Sequence, residues 1–177
     1  MATVYDILII GGGPAGLSAG IYGSRARLKT AILEKGRPGG QAATTMEMEN
    51  YPGSYHEVSG PGLMQQFADH AKHFGTEFLR GVVTGVDLGG PVKKVFTKDG
   101  GVVEASSVIF APGAEPRTLN IKGEGKLRGK GVSYCATCDA DFFEDLDVIV
   151  VGNGDAAIEE AMYLTRFASE VTVIVIH

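Results

Sequence analysis

The reactive side chains of this 177-residue chain are concentrated in one short segment. Cys135 and Cys138 are the only two cysteines, two residues separate them, and Asp139 follows directly. Thiols at this spacing can exchange with other disulfides, because one thiolate forms a mixed disulfide that the second thiol resolves. A position at the start of a helix would favour the thiolate. The Asp139 carboxylate would disfavour it, so proton exchange is the more sensible role for Asp139.

Two other interpretations of the cysteine pair are open. Half of a zinc site is one, but the chain has no third cysteine and its four histidines lie away from the motif. His70 and His73 share a predicted helix without a cysteine or acid in a ligand pattern, which favours a solvated helix face. A purely structural disulfide is the other, and a cytoplasmic location disfavours it. We therefore predict no metal site and a redox-active pair.

A glycine-rich turn near the N-terminus resembles a dinucleotide-binding loop. It follows an apolar run, Tyr5 to Ile10, that predicts a buried parallel strand. In Gly11-Gly12-Gly13-Pro14-Ala15-Gly16, the first glycine would allow a tight turn. Gly13 would let the backbone approach a pyrophosphate, and Gly16 would let the following helix pack closely on the strand.

The segments after this turn complete a predicted βαβ unit. A helix is expected over Pro14 to about Gly23, with small residues toward the sheet, and a strand over Leu28 to Glu34. The N–H groups at the start of that helix would hold phosphates. Glu34 ends the second strand, where a carboxylate can accept hydrogen bonds from ribose hydroxyls.

A second turn of the same kind follows the cysteines. The sequence Gly152-Asn153-Gly154-Asp155-Ala156-Ala157 lies between a predicted strand, Asp147 to Val151, and a helix predicted from Asp155 to about Phe167. We expect Ala156, among other small residues, to face inward. A further strand is expected over Val171 to Ile176. Because a doubly wound unit needs more strands than these to cover its sheet edges, we expect the chain to be a fragment. A thiol pair between two such turns predicts electron transfer between a bound cofactor and a disulfide.

The segments between the two turns predict a mixed α/β fold. A polar loop is expected over residues 36–62 and a linker over residues 115–130. A helix is predicted over Gly60 to Phe74. Strands are predicted over Glu77 to Leu88, Val92 to Thr97, Val102 to Glu104 and Val108 to Ala111, with a hairpin turn at Asp99-Gly100.

The composition excludes several classes of partner. The net charge of −5 and the absence of a long basic run argue against nucleic acid. No apolar segment reaches about 18 residues, so we expect no membrane span. The N-terminus lacks the pattern of a secretory signal, which predicts a cytoplasmic location.

Taken in order, these motifs resemble the low-molecular-weight thioredoxin reductases and the related flavoprotein subunits of alkyl hydroperoxide reductases. The resemblance covers the whole chain and rests on an ordered set of motifs: Gly11 to Gly16, Gly39-Gly40-Gln41, Glu49-Asn50-Tyr51-Pro52-Gly53, Cys135 to Asp139, and Gly152 to Ala157. It implies an FAD-binding Rossmann-like domain of three layers, two of strands and one of helices (ββα), over residues 1–114. The start of a second Rossmann-like nucleotide-binding domain, residues 115–177, would carry the cysteines.

The resemblance also implies cofactors, partners and roles. Electrons would pass from a nicotinamide cofactor to FAD and the cysteine pair, with Cys138 facing the flavin, Cys135 attacking a thioredoxin-like protein and Asp139 exchanging the proton. A homodimer is implied as well. The implied FAD contacts are Gly11, Gly13, Pro14, Ala15, Gly16, Glu34, Lys35, Gly40, Gln41, Thr45, Asn50, Val83, Ala111 and Gly113. The implied nicotinamide contacts are Gly152, Gly154, Asp155 and Ala157.

The sequence departs from the family pattern in two segments. Ala111-Pro112-Gly113 replaces Ala-Thr-Gly, which removes a hydroxyl and a backbone N–H. Val175-Ile176-His177 replaces the His-Arg-Arg that would grip the 2′-phosphate of NADPH. NADPH, NADH and a donor such as ferredoxin therefore stay open. A non-catalytic flavin-binding redox sensor is the alternative of another class, although a sensor needs only one of the two turns.

Overall fold

The structure, a computed structural model of the chain, describes residues 3–54 and 58–176. The chain divides into two compact units, the first ending at Glu115 and the second beginning at Pro116. In the first unit the strands are β1 (Val4–Ile10), β2 (Thr30–Glu34), β3 (Glu77–Arg80), β4 (Val83–Asp87), β5 (Lys93–Thr97) and β6 (Val102–Phe110), and the helices are α1 (Pro14–Arg25) and α2 (Gly60–His73). A 3₁₀ helix, Gly40–Thr44, precedes α2.

The first unit is built on one sheet with the strand order β3-β2-β1-β6-β5-β4. The strands β3, β2, β1 and β6 are parallel, whereas β5 and β4 are antiparallel to their neighbours. Leu8 of β1 packs with Val95 of β5 on one face of the parallel strands, and Ile9 packs with Leu17 and Leu63 of the helices on the other. This arrangement of layers confirms the expected ββα architecture. Leu8, Ile9 and Ile10 of β1 are apolar and buried because both faces of the strand are covered there, whereas Asp6 in the same strand is exposed.

Two strand predictions in this unit were wrong in their boundaries. The segment predicted as one strand from Glu77 to Leu88 is divided at Gly81 into β3 and β4, which lie at opposite edges of the sheet. The two strands expected within residues 102–111 are one continuous strand, β6. Strand periodicity reports which face is covered but does not identify the pairing partner, and here the partners decide both boundaries.

The second unit contains a parallel pair of strands, β7 (Asp147–Val151) and β8 (Glu170–Ile174). Its helices are α3 (Glu124–Leu127), α4 (Ala136–Asp139) and α5 (Asp155–Leu164), and a 3₁₀ helix covers Ala140–Phe143. The predicted linker thus contains a helical turn, α3. Ala156 is exposed, contrary to the expectation, whereas Ala161 and Leu164 are buried. Within the described residues, no helix combines the length and apolarity needed to span a bilayer.

Candidate functional site

The first glycine turn lies where three parallel strands end together. β1 lies between β2 and β6, and the register aligns Ile10 with Leu33 on one side and with Phe110 on the other. The chain leaves β1 toward β2, and β6 returns on the opposite side of β1. Such a change of direction opens a crevice at the carboxyl ends of the strands, which is where open α/β sheets bind ligands.

Close backbone contacts explain two glycines of this turn. Gly11 has a φ of +105°, and a Cβ there would lie 2.1 Å from the Ala111 carbonyl oxygen. A Cβ on Gly16 would lie 1.8 Å from the Gly11 carbonyl oxygen. Both positions therefore require glycine, so that the start of α1 can approach β1 and β6.

Gly13 differs because it faces space rather than a neighbour. It caps α1 without a side-chain hydrogen bond, and a Cβ added to it would come no closer than 3.7 Å to its nearest neighbour, the Gly40 Cα. Pro14 begins the helix, where its missing N–H is not needed, and Ala15 beside it is exposed. The N-terminus of α1 is thus an open cradle of backbone N–H groups, as an anion requires.

Glu34 ties the second strand to this turn. Its Oε2 accepts the Gly12 N–H at 2.7 Å and its Oε1 accepts the Gly36 N–H at 2.9 Å. A carboxylate has about four acceptor positions, so both oxygens keep capacity for ribose hydroxyls. Lys35 donates to Glu115 at 2.5 Å, and this hydrogen bond raises the pKa of the Lys35 ammonium. The structure thus places Lys35 on a partner that the sequence did not indicate.

The 3₁₀ helix brings part of the implied flavin side to the turn. The Gly39 N–H donates to the Gly12 carbonyl at 2.7 Å, and Gly40, with a φ of +58°, lies against Gly13. The Gly60 N–H donates to the Thr45 carbonyl at 3.0 Å, so the start of α2 holds the end of this segment. Gln41 lies within the 3₁₀ helix and is exposed.

The remaining implied FAD residues have diverse positions. The Ala111 N–H donates to the Ile10 carbonyl at 2.9 Å, which fixes the closing segment beside Gly11. Gly113 has a φ of +68° and nothing within 4 Å of an added Cβ. Val83 packs against the core at the start of β4, and Asn50 is exposed beside the isolated bridge between Tyr51 and Ser54.

The second glycine turn repeats the arrangement on a smaller scale. The Gly152 N–H donates to the Ile174 carbonyl at 2.9 Å, and a Cβ on Gly152 would lie 2.8 Å from the Ala157 Cβ. Gly154 caps α5 without a side-chain hydrogen bond, and Asp155 is exposed in the first turn. Of the segment that lacks arginines, Val175 and Ile176 are exposed, and His177 lies outside the described residues.

The cysteine pair forms a disulfide at the start of α4, with a Cα–Cα distance of 5.3 Å. Cys135 is the N-cap residue of this helix, and its carbonyl accepts the amide hydrogens of Cys138 and Asp139, both at 3.2 Å. Cys135 is half-buried and Cys138 is exposed. The helix is a single turn, so its dipole is smaller than that of a longer helix.

Ser133 is a member of this site that sequence reasoning missed. Its hydroxyl donates to Asp139 Oδ2 at 2.5 Å and accepts the Cys135 N–H at 3.0 Å. It thereby connects the two residues that the cysteine motif places four positions apart. A serine near a CxxC motif is not by itself a signal, and only the turn of the chain at Cys135 brings the three groups together.

Glu124 anchors the segment that leads into the cysteines. It is buried and accepts the Tyr134 hydroxyl at 2.6 Å and the Leu119 N–H at 2.9 Å. These two hydrogen bonds, the tyrosine's first, lower the pKa of the Glu124 carboxyl, and the same contact raises the pKa of Tyr134. The Arg128 guanidinium lies 5.1 Å from the centre of the Tyr134 ring. The residue before Cys135 is therefore fixed from both sides.

The histidine pair has ring contacts instead of metal-ligand geometry. His70 and His73 are exposed on α2, with ring centres 5.2 and 5.1 Å from that of Phe74. Phe74, the last residue of the predicted helix, is itself 37% exposed. In the described part of the chain, no three His, Cys, Asp or Glu side chains are grouped closely enough to hold a metal ion.

Curated proteins named thioredoxin reductase are similar to nearly the whole of this chain. The thioredoxin reductase of Peptoclostridium acidaminophilum is 52% identical over 174 residues, which are 98% of this chain and 55% of that protein. That of Bacillus subtilis (strain 168) is 47% identical over 171 residues, which are 97% of this chain and 54% of that protein. The chain thus spans about half the length of these curated relatives.

A solved structure agrees with the fold. The crystal structure of thioredoxin reductase from Streptococcus pyogenes MGAS5005 superposes with a TM-score of 0.91 at 47% identity, covering 98% of this chain and 56% of that one. The family model described as pyridine nucleotide-disulphide oxidoreductase matches residues 5–177, nearly the whole chain. The chain therefore belongs to the pyridine nucleotide-disulphide oxidoreductase family.

Proposed function

We propose that the chain carries the flavin site and the redox pair of a disulfide oxidoreductase of thioredoxin-reductase type. The observation that carries this proposal is the Cys135–Cys138 disulfide, which caps a helix with Asp139 connected to Cys135 through Ser133. Relatives named thioredoxin reductase, at about 50% identity, support the choice of a thioredoxin-like protein as the substrate.

The first glycine turn fits the pyrophosphate and ribose of FAD. Gly13 leaves the N-terminus of α1 open to a phosphate, and Glu34 keeps acceptor positions for ribose hydroxyls. When bound, FAD would accept a hydride and supply two electrons to the disulfide. The chain's own residues would bind the phosphates and orient the ribose. The 3₁₀ helix and Thr45 would line the part of the site that receives the flavin ring.

The exchange reaction is carried out by the reduced cysteine pair. The Cys135 thiolate attacks a sulfur of the substrate disulfide, the substrate S–S bond breaks and a mixed disulfide forms. The Cys138 thiolate then attacks Cys135 Sγ, which re-forms the internal disulfide and releases the second substrate thiol. Two electrons pass to the substrate, and two protons follow them to its sulfurs. Asp139 would exchange those protons.

The second glycine turn would bind the electron donor through Gly152, Gly154, Asp155 and Ala157. A nicotinamide dinucleotide is the proposed ligand, because the N-terminus of α5 repeats the cradle seen at α1. The sequence Val175-Ile176-His177, which offers no arginine to a 2′-phosphate, favours NADH or a donor such as ferredoxin as the second candidate.

Anaerobic mixing of the FAD-loaded protein with NADPH, NADH or reduced ferredoxin tests the proposal. We expect the true donor alone to bleach the flavin absorbance, and oxidised thioredoxin to restore it. A protein that binds a dinucleotide but never reduces thioredoxin would instead be a redox sensor. Cytoplasmic location and a homodimer stay predictions, which subcellular fractionation and sedimentation would test.

A further inference from the structure

The Ser133 hydroxyl lies between the two residues on which the exchange reaction depends. Its Oγ is 2.5 Å from Asp139 Oδ2, 3.0 Å from the Cys135 amide nitrogen and 3.2 Å from the Cys135 carbonyl oxygen. All three residues are half-buried, so water competes with these contacts less than it would at an exposed site.

The donors and acceptors of this hydroxyl can be counted. A serine hydroxyl has one hydrogen and two lone pairs. One lone pair accepts the Cys135 N–H, and the hydrogen can go to only one of its two acceptors. When Asp139 is ionised, the hydrogen goes to the carboxylate, which is the charged acceptor.

Protonation of Asp139 reverses the direction of one hydrogen bond. The carboxylic acid can then donate to the second lone pair of Ser133. The serine hydrogen turns to the Cys135 carbonyl oxygen, which it shares with the amides of Cys138 and Asp139. Rotation of the serine hydroxyl about its C–O bond is the only movement of Ser133 needed, so Ser133 and Asp139 stay hydrogen-bonded to each other in both protonation states of Asp139.

We propose that Ser133 is a positioning residue that holds Asp139 beside the cysteine pair in both of its protonation states. The inference rests on the proposed function, in which Asp139 exchanges protons with the sulfurs. When the substrate S–S bond breaks, Asp139 gives a proton to the leaving thiolate. The ionised Asp139 carboxylate then stays in position because it accepts the Ser133 hydroxyl hydrogen. Without Ser133, the Asp139 carboxylate loses its hydrogen-bonded link to the Cys135 backbone, and only the Asp139 amide still bonds to Cys135.

Thiol exchange by the pre-reduced 177-residue chain tests this role. The variants are Ser133→Ala, Ser133→Thr, which keeps the hydroxyl, and Thr165→Ala, which removes a hydroxyl bonded to a carbonyl elsewhere in the same unit. The oxidants are oxidised thioredoxin and a chromogenic aromatic disulfide. A positioned acid or base typically contributes about 10²–10⁴-fold, so we expect Ser133→Ala to lose about tenfold with both oxidants. Ser133→Thr and Thr165→Ala should remain near the wild-type rate.

A double-mutant cycle separates positioning of Asp139 from a general effect on the fold. Adding Ser133→Ala to Asp139→Asn should cause little further loss, because the residue that Ser133 positions is already absent. Multiplied losses in the double variant, a wild-type rate for Ser133→Ala, or failure of Ser133→Thr to restore the rate would each overturn the inference.

Amide hydrogen exchange provides a readout that does not depend on the reaction. Because the Cys135 N–H donates to Ser133, its exchange should accelerate in Ser133→Ala and return toward wild type in Ser133→Thr; unchanged protection in Ser133→Ala would refute the contact. If the wild type reduces the aromatic disulfide but not thioredoxin, the proposed substrate is wrong. The rates of the Ser133 variants with the aromatic disulfide would still test the role of Ser133.

Discussion

Replacing Gly16 by alanine should destabilise the first unit, because the turn into α1 has no room for a side chain. A Cβ at this position would lie 1.8 Å from the Gly11 carbonyl oxygen and 3.0 Å from its carbon. The Gly11 backbone cannot retreat, since its N–H donates to the Leu33 carbonyl and its own Cα lies against Ala111. The start of α1 must therefore move away from β1, and it takes the fully buried Leu17 with it.

The size of the effect follows from two opposing contributions. Non-bonded heavy atoms settle at roughly 3.5 Å, so the helix start must move by more than an ångström. Overpacking costs about 1–3 kcal/mol, and a clash with backbone belongs at the upper end of that range. Alanine gains about 1 kcal/mol over glycine in a helix. The net loss in the free energy of unfolding is thus about 2 kcal/mol, and the melting temperature should fall by about 8 °C.

Urea and thermal unfolding, followed by far-ultraviolet circular dichroism and tyrosine fluorescence, would measure this loss. Gly85→Ala is the matched control in the same unit, because an added Cβ there meets only the Phe96 ring edge at 3.8 Å. It should remain within about 0.5 kcal/mol of the wild type. A Gly16→Ala protein as stable as the Gly85→Ala protein would refute the close approach of α1 to Gly11.

Three further predictions concern ionisation and thiol chemistry. The Tyr134 hydrogen bond lowers the pKa of the Glu124 carboxyl in the folded protein. The stability that Glu124 contributes is therefore present above its unfolded-state pKa and is lost as the pH falls through the lowered folded-state pKa. Unfolding measured as a function of acid pH should show this loss in the wild type and not in Glu124→Gln. Burial, first, and a hydrogen bond to a carboxylate raise the pKa of Tyr5 to about 12, so ultraviolet titration should show a tyrosine ionising near that pH, and Tyr5→Phe should remove this step; a titration unchanged in that variant would contradict the burial. Cys138→Ser should stop at a mixed disulfide through Cys135 and leave FAD binding intact, and continued turnover would move the chemistry elsewhere.

Sequence alone was sufficient for the features that depend on neighbouring residues. The strand, glycine turn, helix and terminal acid of the first βαβ unit follow from short-range patterns, because glycine placement and apolar periodicity are dictated by local backbone geometry. The helix cap at Cys135 and the strands around the second turn belong to the same class. The family resemblance rested on these local motifs and is confirmed.

Tertiary structure decided what depends on distant partners. The division of residues 77–88 into strands at opposite edges, and the contact between Lys35 and Glu115, join parts of the chain whose proximity no local pattern encodes. The link from Cys135 through Ser133 to Asp139 is short in sequence but required the turn at the helix cap to bring one hydroxyl within reach of both groups. Residue types therefore indicated the thiol chemistry, whereas only the folded backbone showed which side chain is hydrogen-bonded to both Asp139 and Cys135.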